Sequence, residues 1–309
     1  MESMNDKIRF IIGVDGGGTK TLALLADLDG HVLARGVSGS SNYNAVGFEM
    51  TCAALENAIS MARKDHPGEI SALCMGLAGA GRQDDIERFQ AWAVEKFPGT
   101  AVKVVNDAEI LLAAGSPTGP SLAMVCGTGS IVYGRTTSGE LIRAGGWGYL
   151  FGDEGSGYAI GVAVLRAVMQ AYDGRGPSTL LTELVLNRRG LSSPPELVRS
   201  VYGAESPRLE AASLADLVEQ AAEQGDEVAV TILEEAAREL AKIITVVYAK
   251  LGTSASSLVI TGGTILHGIY LRAAFHRACE TLGVTFTVVS HVPEPAECAV
   301  QLAWIMSLG

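Results

Sequence analysis

Short apolar runs separated by glycine turns dominate the first third of the chain. Residues 10–14 and 21–26 are two such runs on either side of a glycine turn, and Asp29-Gly30 marks a second turn before 31–35; together they predict a three-stranded meander. Helical apolar spacing over 51–63 and 85–97 predicts two amphipathic helices. The runs 72–77 and 102–105 predict buried strands, with another helix expected from Ala108. This order suits a mixed sheet with helices on its faces. Two prolines and a glycine within 116–120 then break the pattern, which marks a domain boundary.

A second pattern begins beyond that break. Residues 121–126 read as a strand, Gly127-Thr128-Gly129 as a glycine turn, 130–135 as a strand, Ser138-Gly139 as a hairpin turn and 140–144 as a third strand. Thr19 and Thr128 stand 109 residues apart, and at that offset Gly18 matches Gly127, Thr21 matches Ser130, Gly30 matches Gly139, Leu33 matches Ile142 and Gly36 matches Gly145. Agreement at both turns and on a strand predicts a duplicated unit. The chain is mostly helical beyond Tyr158. A single apolar stripe, closed by Gly252, predicts a helix over 227–251. A strand over 258–261 ending in Gly262-Gly263, a helix over 270–282, a strand over 285–289 and a last helix over 296–308 complete the expectation. The fold class is therefore α/β, with domains over 1–115 and 116–295, the latter with a helical insertion, and a helix over 296–309 able to pack back on the first.

Composition narrows the function classes. With 309 residues, 48% hydrophobic, 18% charged and 37 glycines, the chain is globular and long enough to bury about three quarters of its unfolded surface. A net charge of −11 argues against nucleic acid and anionic membranes as partners, so small molecules are expected. The N-terminal residues read as neither signal peptide nor membrane span. Five cysteines without metal-binding spacing read as buried free thiols of a reducing cytoplasm.

The candidate chemistry starts at Asp15-Gly16-Gly17-Gly18-Thr19-Lys20-Thr21, which joins two strands. The glycines let backbone N–H groups approach an anion, and Thr19 and Lys20 can donate to phosphate oxygens. The loop fits neither a Walker A motif nor a dinucleotide fingerprint, both of which lead into a helix. Taken alone it is also an ordinary glycine hairpin. Asp15 is either a Mg²⁺ ligand acting through water or a turn-forming side chain. Gly127-Thr128-Gly129-Ser130 supplies the same donors from the second unit, and two such turns could grip one triphosphate. Gly262-Gly263 would let backbone approach a flat ligand such as a nucleobase, or is simply a strand-to-helix turn.

The motifs DGGGTKT, VVNDA, CGTGS, GGWGYLFGDEGSGY and ITGG, in this order, resemble the ATPase family that includes N-acetylglucosamine, glucosamine and N-acetylmuramic acid kinases, within the sugar kinase/actin/Hsp70 superfamily. The resemblance spans most of the chain, leaves about 166–227 unsupported, and implies two duplicated actin-like (ribonuclease H-like) domains with an interdomain cleft. It also implies ATP and Mg²⁺ as cofactors, with Gly17, Gly18, Thr19, Lys20, Gly127, Thr128, Gly262 and Gly263 binding ATP and Asp15 the metal. Asp107 sits where such kinases keep the base that takes a proton from the sugar hydroxyl; without the flanking motifs it would read as the cap of the helix at Ala108. Asn42, Gly79, Gly146, Trp147, Asp153 and Glu154 fall at sugar-binding positions. On residue type alone, Asn42 would be a turn residue, Trp147 a core residue, and Asp153 and Glu154 helix-terminal charges. The expected activity is transfer of the γ-phosphoryl group to the 6-hydroxyl of N-acetylglucosamine or a close relative, by a homodimer. The competing readings are an ATPase activator that drives a partner enzyme and a non-catalytic sugar sensor.

Overall fold

A computed structural model describes residues 8–107, 109–116, 119–252, 257–286, 288–292 and 294–308. The chain divides into two units, Met1–Gly119 with Glu294–Gly309, and Pro120–Pro293.

The first unit contains β1 (Arg9–Gly16), β2 (Thr21–Ala26), β3 (Val32–Ser38), α1 (Tyr43–Arg63), β4 (Glu69–Leu77), α2 (Gln83–Lys96), β5 (Ala101–Asn106) and, after a 3₁₀ turn, α3 (Leu112–Gly115). The strands form one sheet in the order β3-β2-β1-β4-β5. Only β2 runs against the others, so β1, β3, β4 and β5 all end at the same edge. β1 and β2 are almost wholly buried, as expected of central strands covered on both faces. Phe10, Ile12 and Val14 join Leu55, Ile59 and Phe89 in one core. Helix α1 begins earlier than the apolar spacing suggests, because Gly47, at φ 78°, interrupts it and only the part after this break is regular.

The second unit contains β6 (Ser121–Cys126), β7 (Ser130–Arg135), β8 (Leu141–Gly145), α4 (Gly157–Asp173), α5 (Leu181–Arg189), α6 (Glu196–Tyr202), α7 (Pro207–Ala212), α8 (Ala215–Glu223), α9 (Glu227–Leu251), β9 (Ser257–Thr261), α10 (Gly263–His267), α11 (Ile269–Thr281) and β10 (Val288–His291). Its sheet runs β10-β9-β6-β7-β8. The long helix α9 lies on β7 and β8, with Leu240, Ile244 and Val247 in a core shared with β6 and α4. Asp226 caps α9 by accepting from the Ala229 N–H at 2.8 Å, and it also accepts from the Leu180 N–H at 2.6 Å, tying the helical insertion to the core. The strand expected over 285–289 is β10, displaced toward His291; Thr287 lies outside the described residues.

The last helix, α12 (Pro295–Ser307), returns to the first unit and packs on β1 and β4. It can approach closely because a side chain at Gly13 would meet the Val300 nitrogen at 2.2 Å.

The two sheets have the same strand order and directions, which is the duplication seen in the sequence. The second strands correspond at the offset of 109 residues, β2 at Thr21 with β7 at Ser130; the third strands do so only at their start, Val32 with Leu141, since the irregularity between Leu25 and Ala26 brings Ala34 opposite the place of Ile142. The first strands do not: Gly16 pairs with Thr21 and Cys126 with Ser130, so Gly16 and Cys126 are 110 apart. The first turn therefore holds one residue more than the second. That extra residue lengthens the glycine loop that leads to Lys20.

Candidate active site

In the first unit the site lies at the carboxyl ends of the parallel strands, the usual ligand edge of such sheets. Asp15 is the penultimate residue of β1, opposite Gly76 of β4, which lies opposite Val105 of β5. Asp107 follows directly after β5, and its N–H reaches the Leu77 carbonyl at 3.4 Å. The helix expected from Ala108 is reduced among the described residues to the 3₁₀ turn Glu109–Leu111 and α3, and Ala108 itself lies outside them.

The glycine loop after β1 is exposed at Gly18, Thr19 and Lys20. Its base is anchored: the Gly17 N–H donates to the Lys20 carbonyl at 3.0 Å, and the Gly17 carbonyl accepts from the Ser41 N–H at 3.1 Å. Thr21, fully buried, donates its hydroxyl to Gly39 O and shares a 2.8 Å hydrogen bond with Ser41 Oγ. These bonds bring the segment after β3 beside the loop. Asn42 caps α1, its side-chain oxygen accepting from the Asn44 N–H at 3.1 Å. A side chain at Gly79 would come within 2.5 Å of that oxygen. Asn42 also faces Gly18, whose Cβ position lies 3.7 Å from Asn42 Nδ2. The first unit thus gathers Asp15, Gly17, Gly18, Thr19, Lys20, Asn42, Gly79 and Asp107 along one edge of the sheet.

Electrostatics single out one carboxyl group there. Burial, reinforced by the charge of Asp107 and opposed by Lys20, pushes Asp15 from 3.8 up to about 7. The folded protein therefore keeps a proton that the unfolded chain has lost, so stability declines as pH rises from about 4 to 7 and levels off above. In the presence of a chelator, the unfolding free energy from urea titrations should fall between pH 5 and 7.5 by on the order of 1–2 kcal/mol more in the wild type than in Asp15→Asn, allowing for partial exposure of the group. Parallel pH profiles would refute this.

In the second unit the same edge carries the other turns. The Gly127 carbonyl accepts from the Gly157 N–H at 2.8 Å and from Thr264 Oγ1 at 3.0 Å; the Thr128 carbonyl accepts from the Tyr158 N–H at 3.3 Å. The start of α4 and the start of α10 thus fix the turn. Gly262, at φ 104°, lies so close to β6 that a side chain there would meet the Cys126 carbonyl at 2.4 Å. Gly127, Thr128, Gly262 and Gly263 are brought together.

The segment 146–155 is the least regular part of this unit. Trp147 is 65% exposed with the Arg143 guanidinium 4.3 Å over its ring, so it is not a core residue. Asp153 is 3% exposed and at φ 60°. Its carboxylate accepts from the Ser130 N–H at 3.2 Å and from Arg208 Nη2 at 3.0 Å, while Ser130 donates its hydroxyl to the Glu154 carbonyl at 2.7 Å. The Glu154 side chain is exposed. Gly146 donates its N–H to Ser130 O at 2.9 Å. Ser130 here does what Thr21 does in the first unit, tying the segment after the third strand to the glycine turn. Sequence reasoning missed Ser41, Thr264 and Arg208. Ser41 and Thr264 adjoin glycine motifs, a local signal; Arg208 lies in the unsupported helical insertion and has none.

All five cysteines are free and buried, and among the described residues no helix is long and apolar enough to cross a membrane.

Comparison with known proteins agrees with this architecture. An N-acetylmuramic acid/N-acetylglucosamine kinase of Clostridium acetobutylicum is 37% identical over 276 residues, covering 87% of this chain and 90% of that protein. An N-acetyl-D-glucosamine kinase of Dictyostelium discoideum is 36% identical over 271 residues, covering 82% and 85%. The crystal structure of a candidate N-acetylglucosamine kinase from Chromobacterium violaceum superposes with a TM-score of 0.77 at 27% identity, covering 96% of this chain and 99% of that one. Residues 12–282 match the BadF/BadG/BcrA/BcrD ATPase family, and the chain belongs to that family.

Proposed function

We propose that this protein is an ATP-dependent amino-sugar kinase that transfers the γ-phosphoryl group to the 6-hydroxyl of N-acetylglucosamine or a close relative such as glucosamine or N-acetylmuramic acid. The observation that carries the reading is the pair of carboxylates, Asp15 and Asp107, at the carboxyl ends of β1 and β5, parallel strands on either side of β4, beside an exposed glycine loop. Kinship of 36–37% identity with amino-sugar kinases supports the same chemistry.

Asp107 accepts the proton of the sugar 6-hydroxyl as its oxygen forms a bond to the γ-phosphorus and the bond to the ADP oxygen breaks. Thr19, Lys20 and the Gly18 N–H hold phosphate oxygens on the loop that Gly17 closes, with Thr128 doing the same from the second unit on the turn that Gly127 closes; Gly262 and Gly263 border the adenosine. Asp15, whose pKa is raised by burial and further by the nearby charge of Asp107, forms with Asp107 an all-oxygen donor set suited to Mg²⁺, with Asp15 as the ligand. Asp15 would hold the ion where its charge would offset that on the transferring phosphoryl group. Gly79 and Asn42 line the sugar from the first unit, and Gly146, Trp147 and Glu154 from the second. Asp153, tied to Ser130 and Arg208, holds that loop and offers its remaining acceptor capacity. Free, buried thiols support a reducing cytoplasm as the compartment.

A partner-driving ATPase that bridges a metal cluster would need thiols at its surface, and the five here are buried. A coupled assay for ADP release over N-acetylglucosamine, glucosamine, N-acetylmannosamine, N-acetylmuramic acid and glucose tests the proposal. ADP release should depend on an amino sugar. Equal ATP turnover with and without every sugar would remove the kinase reading.

A further inference from the structure

Asp153 is held in a way that its neighbours in the sequence do not account for. Among the described residues it is the one non-glycine residue at positive φ, 60°, a conformation that persists where the surroundings impose it. Its buried carboxylate lies against the turn assigned to phosphate. One oxygen, Oδ1, accepts from the Ser130 N–H at 3.2 Å, and a side chain at Gly129 would come within 2.7 Å of the same oxygen. A single backbone N–H does not offset a buried charge. The second partner is Arg208, whose Nη2 donates to Oδ2 at 3.0 Å.

Arg208 comes from the helical insertion, on α7. That helix is seated directly on α4, because a side chain at Gly161 would run into the Ala211 carbonyl. The guanidinium so placed stands 5.5 Å over the ring of Tyr149, and Tyr149 meets Tyr158 edge to face at 5.3 Å. The Arg208 Nε is buried without a hydrogen-bond partner, so Asp153 and the Tyr149 face, not a network of its own, place the group. Arg208 thus grips the loop of residues 146–155 at two points, one of which is bonded to the end of the phosphate turn.

We infer that Arg208 is a positioning residue for the sugar, acting through Asp153, and that the helical insertion therefore takes part in sugar binding. The inference rests on the kinase reading and extends its sugar site to a residue outside the glycine motifs. With one donor taken on each oxygen, the Asp153 carboxylate keeps acceptor capacity for a sugar hydroxyl. Without the guanidinium an unpaired charge would be left buried, and the carboxylate would leave its place to reach water. The sugar then loses an oriented acceptor. The phosphate turn stays, because the Gly157 and Tyr158 N–H groups and the Thr264 hydroxyl hold it independently.

The test is steady-state kinetics with ATP and the amino sugar that the wild type turns over fastest, in the wild type, Arg208→Met, Arg208→Lys, Asp153→Asn and the double variant Asp153→Asn/Arg208→Met. Arg208→Met should raise KM for the sugar about tenfold, keep KM for ATP within about twofold and lower kcat by less than about threefold. Arg208→Lys returns the charge and the single N–H that Asp153 accepts, and should restore the sugar KM to within about threefold of the wild type. Asp153→Asn should raise the sugar KM by itself, and adding Arg208→Met to it should change that value by less than about twofold, since residues that act as a unit are not additive. KM does not depend on the fraction of protein that folds, so a destabilised variant still reports. An Arg208 that merely supports α7 would leave both KM values unchanged, or would add its full effect to that of Asp153→Asn. Either result would overturn the assignment and leave the kinase reading intact. A wild type that phosphorylates no sugar would overturn the kinase reading and this role with it.

Discussion

Asp107→Asn should lower sugar phosphorylation by about 10³–10⁴-fold, toward the upper limit for loss of a general base, while ATP affinity changes by less than about twofold. Asparagine has nearly the shape of aspartate but cannot take the proton as the sugar oxygen attacks. The substitution also separates the two readings that the sequence leaves open. Asn caps helices as well as Asp does, so a merely structural Asp107 would tolerate the exchange with neither stability nor turnover changed. Loss of turnover at unchanged thermal stability identifies the base. Near-normal turnover would assign the proton to another group, with Asp15, the other carboxyl at that edge of the sheet, the first candidate.

Gly262→Ala should destabilise the second unit by about 3 kcal/mol and weaken ATP binding at least about tenfold. Two costs combine at this residue. Its φ of 104° is a conformation that side-chain-bearing residues rarely adopt, and the added methyl group would lie 2.4 Å from the Cys126 carbonyl. Relief requires β9 or the Gly127 turn to move, and that turn is one of the two assigned to phosphate. Gly263→Ala is the paired control: its nearest neighbour would be His267 at 3.8 Å, and no positive φ is involved. It should change stability by less than about 0.5 kcal/mol. Chemical denaturation and nucleotide titration of both variants check the contrast. Equal effects would mean that the close approach of Gly262 to β6 does not hold the turn.

Much of the fold was legible because local signals agreed. Continuous apolar runs punctuated by glycine place most of the strands, and the repeated glycine turns disclose the duplication in the sequence itself. What stayed hidden depends on long-range pairing. The offset of 109 residues aligns β2 with β7, but only the register shows that Gly16 pairs with Thr21 where Cys126 pairs with Ser130, and that most of β3 is displaced by one residue relative to β8. The extra residue falls inside the phosphate loop, where glycines match in more than one alignment. Asp153 reads from its neighbours as a helix-terminal charge; in the fold it is a buried acceptor for Ser130 and for Arg208, a residue 55 positions away with no local mark. Gly47 breaks α1 so that the apolar spacing starts late, and the apolar residues on both sides of β10, from Val284 to Val292, leave its limits unmarked in the sequence. Trp147, which by residue type would suit a core, is held at the surface by glycines on both sides and by stacking with Arg143.

The central claim, that the chain moves a phosphoryl group from ATP to the 6-oxygen of an amino sugar, is tested most directly by phosphorus NMR of the product formed from N-acetylglucosamine. A phosphomonoester whose phosphorus couples to the two C6 protons, formed in equal amount to ADP, is the predicted result. Inorganic phosphate alone, or phosphate on the anomeric oxygen, would contradict it.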